Sequence, residues 1–295
     1  MVNMNIVQIR SGLGNQMFQY AFYLALKHHR PDTKIDASIY RYRPSHNGYE
    51  LERIFAIHPE HATIAERNQM VDIGKDLFSE IRRALGWKKR TTGQLVIEPD
   101  PAQGWCPELL HADNCYLQGY WQTENYFREV ADQVRQDFTF QLPLPKEAED
   151  LAITIKSQNS VSVHIRRGDY LKKRRVEDYN VCSVSYYRSA VKTIQAQVEH
   201  PVFYVFSDEP EWGKAQEIFP EGTVFVSGHT GEKAYIDMQL MSLCRHHIIA
   251  NSSFSWWGAW LGQQEEAITI APDTWFKHHV RPDILPTAWN TIDID

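Results

Sequence analysis

Four cysteines are few for 295 residues, and Cys106, Cys115, Cys182 and Cys244 are irregularly spaced. No C-x-x-C pair occurs, which argues against a disulfide framework or a cysteine zinc site and for free thiols in a reducing compartment. H-E-x-x-H is missing too. Histidine doublets stand at 28/29, 246/247 and 278/279, but adjacent rings on a strand face opposite ways, so no metal site is expected. No apolar run approaches the ~20 residues of a membrane helix. The opening MVNMNIVQIR lacks a charged n-region, an apolar stretch and a small-residue cleavage site. The expectation is a cytoplasmic protein with peripheral membrane contact at most. Cationic excess is also absent: 31 Lys and Arg face 37 Asp and Glu, for a net charge of -6. That excludes the usual charge balance of a nucleic-acid binder. Nothing in the pattern sets an oligomeric state, and no internal repeat or low-complexity stretch is present.

What remains is a globular composition, 43% hydrophobic and 23% charged, long enough for two domains at ~150 residues each. Aromatics reach 12%, with nine Trp, suited either to core packing or to stacking on sugar faces. Asn5 to Ile9 is a short buried strand. It enters the glycine turn Gly12-Leu-Gly-Asn-Gln16, and a helix is predicted over Met17 to Lys27 from apolar residues at helical spacing. Residues 45–105 are irregular, with helix-like pieces near 61–71 and 76–86. Cys115 to Trp121 is strand-like, and Thr123 is placed to cap a helix from Glu124 to about Asp137. Two prolines in Gln141-Leu-Pro-Leu-Pro145 mark the best boundary, giving domains 1–143 and 144–295. The extreme C-terminus is a candidate to pack back on the first. After the boundary, β and α segments alternate regularly, which predicts an α/β domain with a doubly wound parallel sheet.

Ligands of such sheets bind beyond the carboxyl ends of the strands, where four loops stand out. Gly12, Gly14, Asn15 and Gln16 form either a tight turn or an anion cradle at a helix N-terminus. A dinucleotide fingerprint is excluded by Met17, and a P-loop by the lack of G-K-[ST]. The segment His164-Ile-Arg-Arg-Gly-Asp-Tyr170 places Arg166 and Arg167 at a strand end, with Lys172, Lys173, Arg174 and Arg175 close behind. Guanidinium groups suit phosphate oxygens. The alternatives are structural ion pairs, with Asp169 as one partner, or a solvated turn. Asp208 is either an acceptor for a nucleoside or an N-cap. In Asn251-Ser-Ser-Phe-Ser-Trp-Trp257, three hydroxyls precede a helix, where they can cap it and bind phosphate, and the tryptophans are assigned mainly to the core. Together the loops fit a nucleoside diphosphate, and no Asp-x-Asp lies between the domains to hold a metal.

The segments Gly12 to Tyr20, His164 to Tyr170, Val205 to Asp208, Ile249 to Trp260 and Gly119-Tyr-Trp-Gln122 resemble, in order, the bacterial α-1,2-fucosyltransferases of glycosyltransferase family 11. The resemblance implies a GT-B-type fold of two Rossmann-like domains, the first binding the acceptor and the second GDP-fucose. It implies metal-independent, inverting transfer of L-fucose from GDP-β-L-fucose to the 2-hydroxyl of a terminal galactose on an oligosaccharide, a reaction of O-antigen or other oligosaccharide biosynthesis. No cofactor is implied. Carried over by motif, Arg166 binds the β-phosphate with help from Arg167, and Asn15 lies near the fucose. His164 lies against the nucleoside, Ser252 and Ser253 form the β-phosphate loop, and Asp208 reads guanine. Gly12, Gly14, Gln16, Asp169, Phe254 and Ser255 complete the expected donor site. Asp36, Asp169 and Glu50 are the candidate bases.

Overall fold

A computed structural model of the chain describes residues 4–43, 45–74, 77–87, 89–168, 180–278 and 281–295. The expected Asp169 and the basic run 172–175 lie outside the described residues. The chain divides into two units, Met1–Leu142 and Pro143–Asp295.

The first unit contains β1 (Asn5–Gln8), α1 (Leu13–His29), β2 (Thr33–Asp36), α2 (Ile39–Tyr42), α3 (Leu51–Ile54), α4 (Ile64–Met70), α5 (Leu77–Ala84), β3 (Gln94–Ile97), β4 (Cys115–Gln118) and α6 (Ala131–Asp137). Its strands pair in parallel in the order β2-β1-β4-β3. The order reverses between β1 and β4. The second unit contains α7 (Lys146–Lys156), β5 (Ser160–Ile165), α8 (Val184–Gln197), β6 (Val202–Ser207), α9 (Pro210–Ala215), β7 (Val224–Val226), α10 (Tyr235–Ser242), β8 (His246–Ile248), α11 (Ser253–Leu261), β9 (Thr269–Pro272) and β10 (Asn290–Ile292). Its parallel order is β10-β9-β8-β5-β6-β7, with the reversal between β5 and β8. Both units are therefore Rossmann-like. Every residue of β5 is buried, as expected of a central parallel strand covered on both faces. Val161, Val163 and Ile165 enter a core with Tyr186, Tyr187, Ile194 and Phe203, and each such side chain contributes roughly 1.5–3 kcal/mol on burial.

Several boundaries differ from expectation. Helix α1 begins at Leu13, because the Gly12 carbonyl accepts the N–H groups of Asn15 and Gln16 and closes the first turn there. The supposed glycine turn is thus the helix's own start. Thr123 caps only a 3-10 turn, Glu124–Tyr126, and a second such turn, Arg128–Val130, intervenes before α6. Strands β3 and β10 were not expected. At the extreme C-terminus β10 pairs with β9, and Ile294, which is buried, accepts the Ser183 N–H at its carbonyl. Ile294 belongs to the second unit's core and Ile292 packs against it. No helix among the described residues is long and apolar enough to cross a membrane.

Candidate functional site

The chain places two groups of residues beyond carboxyl strand ends, one at each reversal of strand order. In the first unit, β1 runs into Arg10 and Ser11, and β4 into Gly119-Tyr-Trp-Gln122. Ser11 and Trp121 have left-handed backbones, at φ 71 and 54. Such residues cost of order 1–3 kcal/mol each and persist where their surroundings hold them. The Ser11 carbonyl accepts from the Tyr40 hydroxyl at 2.6 Å and the Gln16 amide at 2.9 Å. Trp121 is fully buried and stacks on Phe22 at 4.3 Å. The Glu98 carboxylate accepts the Tyr120 N–H at 2.6 Å and the Trp121 N–H at 3.0 Å. Tyr120 lies under the Arg10 guanidinium at 4.8 Å, with its hydroxyl 3.3 Å from that of Ser11.

Gln16 is expected to complete the donor site. It is fully buried, its amide donates to the Ser11 and Gly48 carbonyls, and its oxygen accepts the Glu50 N–H at 2.9 Å. It braces the loop after β1. Gln19, which the sequence reading passed over, does the same across the reversal: it accepts the Arg10 N–H and donates to the Gly119 carbonyl, both at 2.8 Å. Asn15 is half-buried and accepts from Gln122 at 2.7 Å. Gly12 is the cap residue of α1, and a Cβ there would come within 3.3 Å of the His46 ring. Gly14 is buried in the first turn of the helix. Asp36 accepts from the Tyr116 hydroxyl and the Ser38 N–H, and Glu50 pairs with Arg53 at 3.0 Å. Of the three candidate bases, Asp36 and Glu50 thus have structural partners, and Asp169 lies outside the described residues.

In the second unit, β5 delivers Arg166, Arg167 and Gly168. Arg166 pairs with Asp208, its Nη1 lying 3.2 Å from Oδ2. The same carboxylate accepts the N–H groups of Arg167 at 3.0 Å and Gly168 at 3.2 Å. Asp208 is thus not the N-cap that was one of its two expected roles. Glu209 is the cap residue of α9, and both Asp208 oxygens are engaged by the arginine loop. Arg167 lies over the Trp212 ring at 4.0 Å and pairs with Glu209 at 3.4 Å. His164 is buried, 5.8 Å from the Phe254 ring. Desolvation, helped by the Arg166 charge, pushes its pKa down to about 3, so the ring is neutral.

Across the reversal, β8 leads to α11. The hydroxyl of Ser252 caps that helix by accepting the Phe254 N–H at 3.4 Å. Ser253 and Phe254 are half-buried in its first turn. Ser255 is buried and turns inward to the Ala250 and Ser252 carbonyls, each at 3.3 Å, so it stabilises the cap instead of lining the site. Trp256, Trp257 and Trp260 are all core. Asn251 donates to the Asn180 and Trp275 carbonyls, both at 2.9 Å. Adjacent Tyr186 and Tyr187 of α8, also not foreseen, donate to the carbonyls of Ile249 (2.6 Å) and His164 (3.0 Å). One helix thereby pins both strand ends at the reversal. A pair of adjacent tyrosines at a capped helix start was the available signal. The result is a cationic loop beside a helix N-terminus, each rigidly held, an arrangement able to bind an anion.

Residues 106–293 match the family model Glycosyl transferase family 11. The chain is 33% identical to an alpha-1,2-colitosyltransferase of Escherichia coli over 98% of both proteins. It is 30% identical to human galactoside alpha-(1,2)-fucosyltransferase 1, over 61% of this chain and 53% of that protein. Among solved structures, it resembles fucosyltransferase NodZ from Bradyrhizobium with a TM-score of 0.51 and 14% identity, covering 87% of this chain and 91% of that one, which is a likeness of fold.

Proposed function

The chain belongs to glycosyl transferase family 11, and from that premise we propose that it transfers L-fucose from GDP-β-L-fucose to the 2-hydroxyl of a terminal galactose on an oligosaccharide. The reaction inverts the anomeric centre to give an α-1,2 link and uses no metal. The observation that carries this reading is the pair Arg166 and Arg167 at the β5 end, beside the Ser252-capped start of α11. In the proposed reaction the bond from the anomeric carbon to the β-phosphate oxygen breaks, and its electron pair leaves on GDP. The galactose O2 attacks from the opposite face and then loses its proton. The transition state is oxocarbenium-like, as in glycoside hydrolysis, so charge on the departing diphosphate is what the protein must meet. Arg166 and Arg167 supply cations there, and the first N–H groups of α11 supply aligned dipoles. With departure leading attack, no strong base is required. His164, being neutral, packs near the nucleoside without opposing the arginines. The second unit carries the donor, and the first carries the acceptor.

A second reading has one specific support. The relative named alpha-1,2-colitosyltransferase is similar over nearly the whole chain, and colitose is fucose without its 3-hydroxyl. A site built to hydrogen-bond a hydroxyl rejects the analogue lacking it by a factor on the order of 10⁴–10⁵. Incubation with GDP-fucose or GDP-colitose and a panel of galactosides, followed by NMR linkage analysis, separates the two. Fucose on galactose O2 is the expected result. Transfer from GDP-colitose alone moves the assignment to the second reading, and a link at any other hydroxyl overturns the regiochemistry of both.

A further inference from the structure

Helix α5 is mounted the opposite way from an ordinary surface helix, which turns its apolar stripe to the core. Its charged residues hold it to the protein. Arg82 pairs with Asp72 and donates to the Trp87 carbonyl at 2.5 Å. Arg83 pairs with Asp72 at 3.3 Å and donates to the Gly74 carbonyl at 2.5 Å. Leu77, Phe78 and Ile81 share the remaining face and are 73%, 76% and 50% exposed. Leu85 and Trp87, in the turn that follows, are 59% and 66% exposed. Single exposed apolar residues are ordinary, but five large ones on one short segment mark an interaction surface.

Charge identifies the occupant. Among the described residues of 72–90, Arg82, Arg83, Lys89 and Arg90 face Asp72 and Glu80, an excess of two positive charges in a chain whose total is -6. Lys89 and Arg90 are both exposed beside the apolar face. A second copy of this chain docking symmetrically would set that cationic rim against itself. An anionic lipid surface complements it, and Leu, Phe and Trp beside Lys and Arg is the composition of an interfacial helix.

We propose that α5, together with Leu85, Trp87, Lys89 and Arg90, forms a docking face for an anionic bilayer, with Phe78 and Trp87 as the inserted anchors. The whole chain is sedimented with phosphatidylcholine vesicles containing roughly 30% phosphatidylglycerol, and with pure phosphatidylcholine. The wild type is expected to pellet with the anionic vesicles and much less with the neutral ones. The double variant Phe78→Glu/Trp87→Glu should lose at least about tenfold in partitioning, with an unchanged melting midpoint because both side chains are exposed. Lys89→Glu/Arg90→Glu should lose binding to the anionic vesicles alone. A wild type that stays in the supernatant overturns the proposal, as does a Phe78→Glu/Trp87→Glu variant that pellets equally well. So does a wild-type dimer that this variant turns into a monomer without altering vesicle binding.

Discussion

Removing the Asp208 carboxylate sets two effects of opposite sign against each other. Its loss takes a counter-charge from Arg166, which alone would strengthen attraction for a diphosphate. Its loss also releases the N–H groups of Arg167 and Gly168, which alone would loosen the loop that presents both arginines. The side chains of Arg166 and Asp208 are 32% and 25% exposed, and an ion pair so open to water contributes about 0–1 kcal/mol. Hydrogen bonds to a charged acceptor contribute ~1.5–3 kcal/mol each. Allowing that water replaces about half of this at an exposed turn, the two backbone bonds hold the loop by ~1.5–3 kcal/mol. At the midpoints of these ranges loosening prevails by about 1.7 kcal/mol, and Asp208→Ala should weaken GDP binding roughly 20-fold. Asp208→Asn keeps one acceptor and should fall between the variant and the wild type. Titration calorimetry with GDP at fixed ionic strength reads the effect, and a melting curve checks that the unit remains folded. Equal or tighter GDP binding by Asp208→Ala would refute the reasoning, since it would mean the carboxylate acts on the arginines only as a competitor for the ligand.

Gln16→Ala removes a buried amide, takes the partners of the Gly48 carbonyl and the Glu50 N–H, and leaves the Ser11 carbonyl with the Tyr40 hydroxyl alone. A loss of about 2–4 kcal/mol in unfolding free energy is expected from urea titration, and a loss below about 1 kcal/mol would show that the amide is dispensable. His164 and His247 are both held near a pKa of about 3, chiefly by burial. Above pH ~6.5 neither is protonated in the folded or the unfolded chain. Below it the unfolded chain takes up protons that the folded one refuses, so stability falls as pH drops, by up to ~1.4 kcal/mol per pH unit for each histidine, until about pH 3. Unfolding midpoints between pH 6.5 and 5 should show this slope, and His247→Gln should reduce it. An unchanged slope in that variant would remove His247 from the account.

The regular alternation of the second unit was legible because its strands are buried on both faces and carry continuous apolar runs, as in Val202 to Phe206. Strand β3 was not legible. Leu95 and Ile97 are 44% and 66% exposed, so an edge position leaves no inside-outside contrast to detect. Residue types at the site were easier to find than their roles. Gln16 and Ser255 have side chains that suit a ligand equally well, yet burial turns them to the backbone.

The two carboxylates that shape the loops show why roles are harder to see than types. Glu98 follows β3 and grips the turn after β4, which is 22 and 23 residues later in the chain. Asp208 follows β6 and grips the turn after β5, 41 and 40 residues earlier. The device is the same in both units: an acid just past one strand accepts two successive N–H groups past its neighbour, because parallel strands end side by side about 4.8 Å apart. Its sequence offset differs in size and in direction, since β3 precedes its partner and β6 succeeds it. An acid after a strand can therefore serve a ligand or an adjacent loop, and only the order of strands across the sheet decides between them.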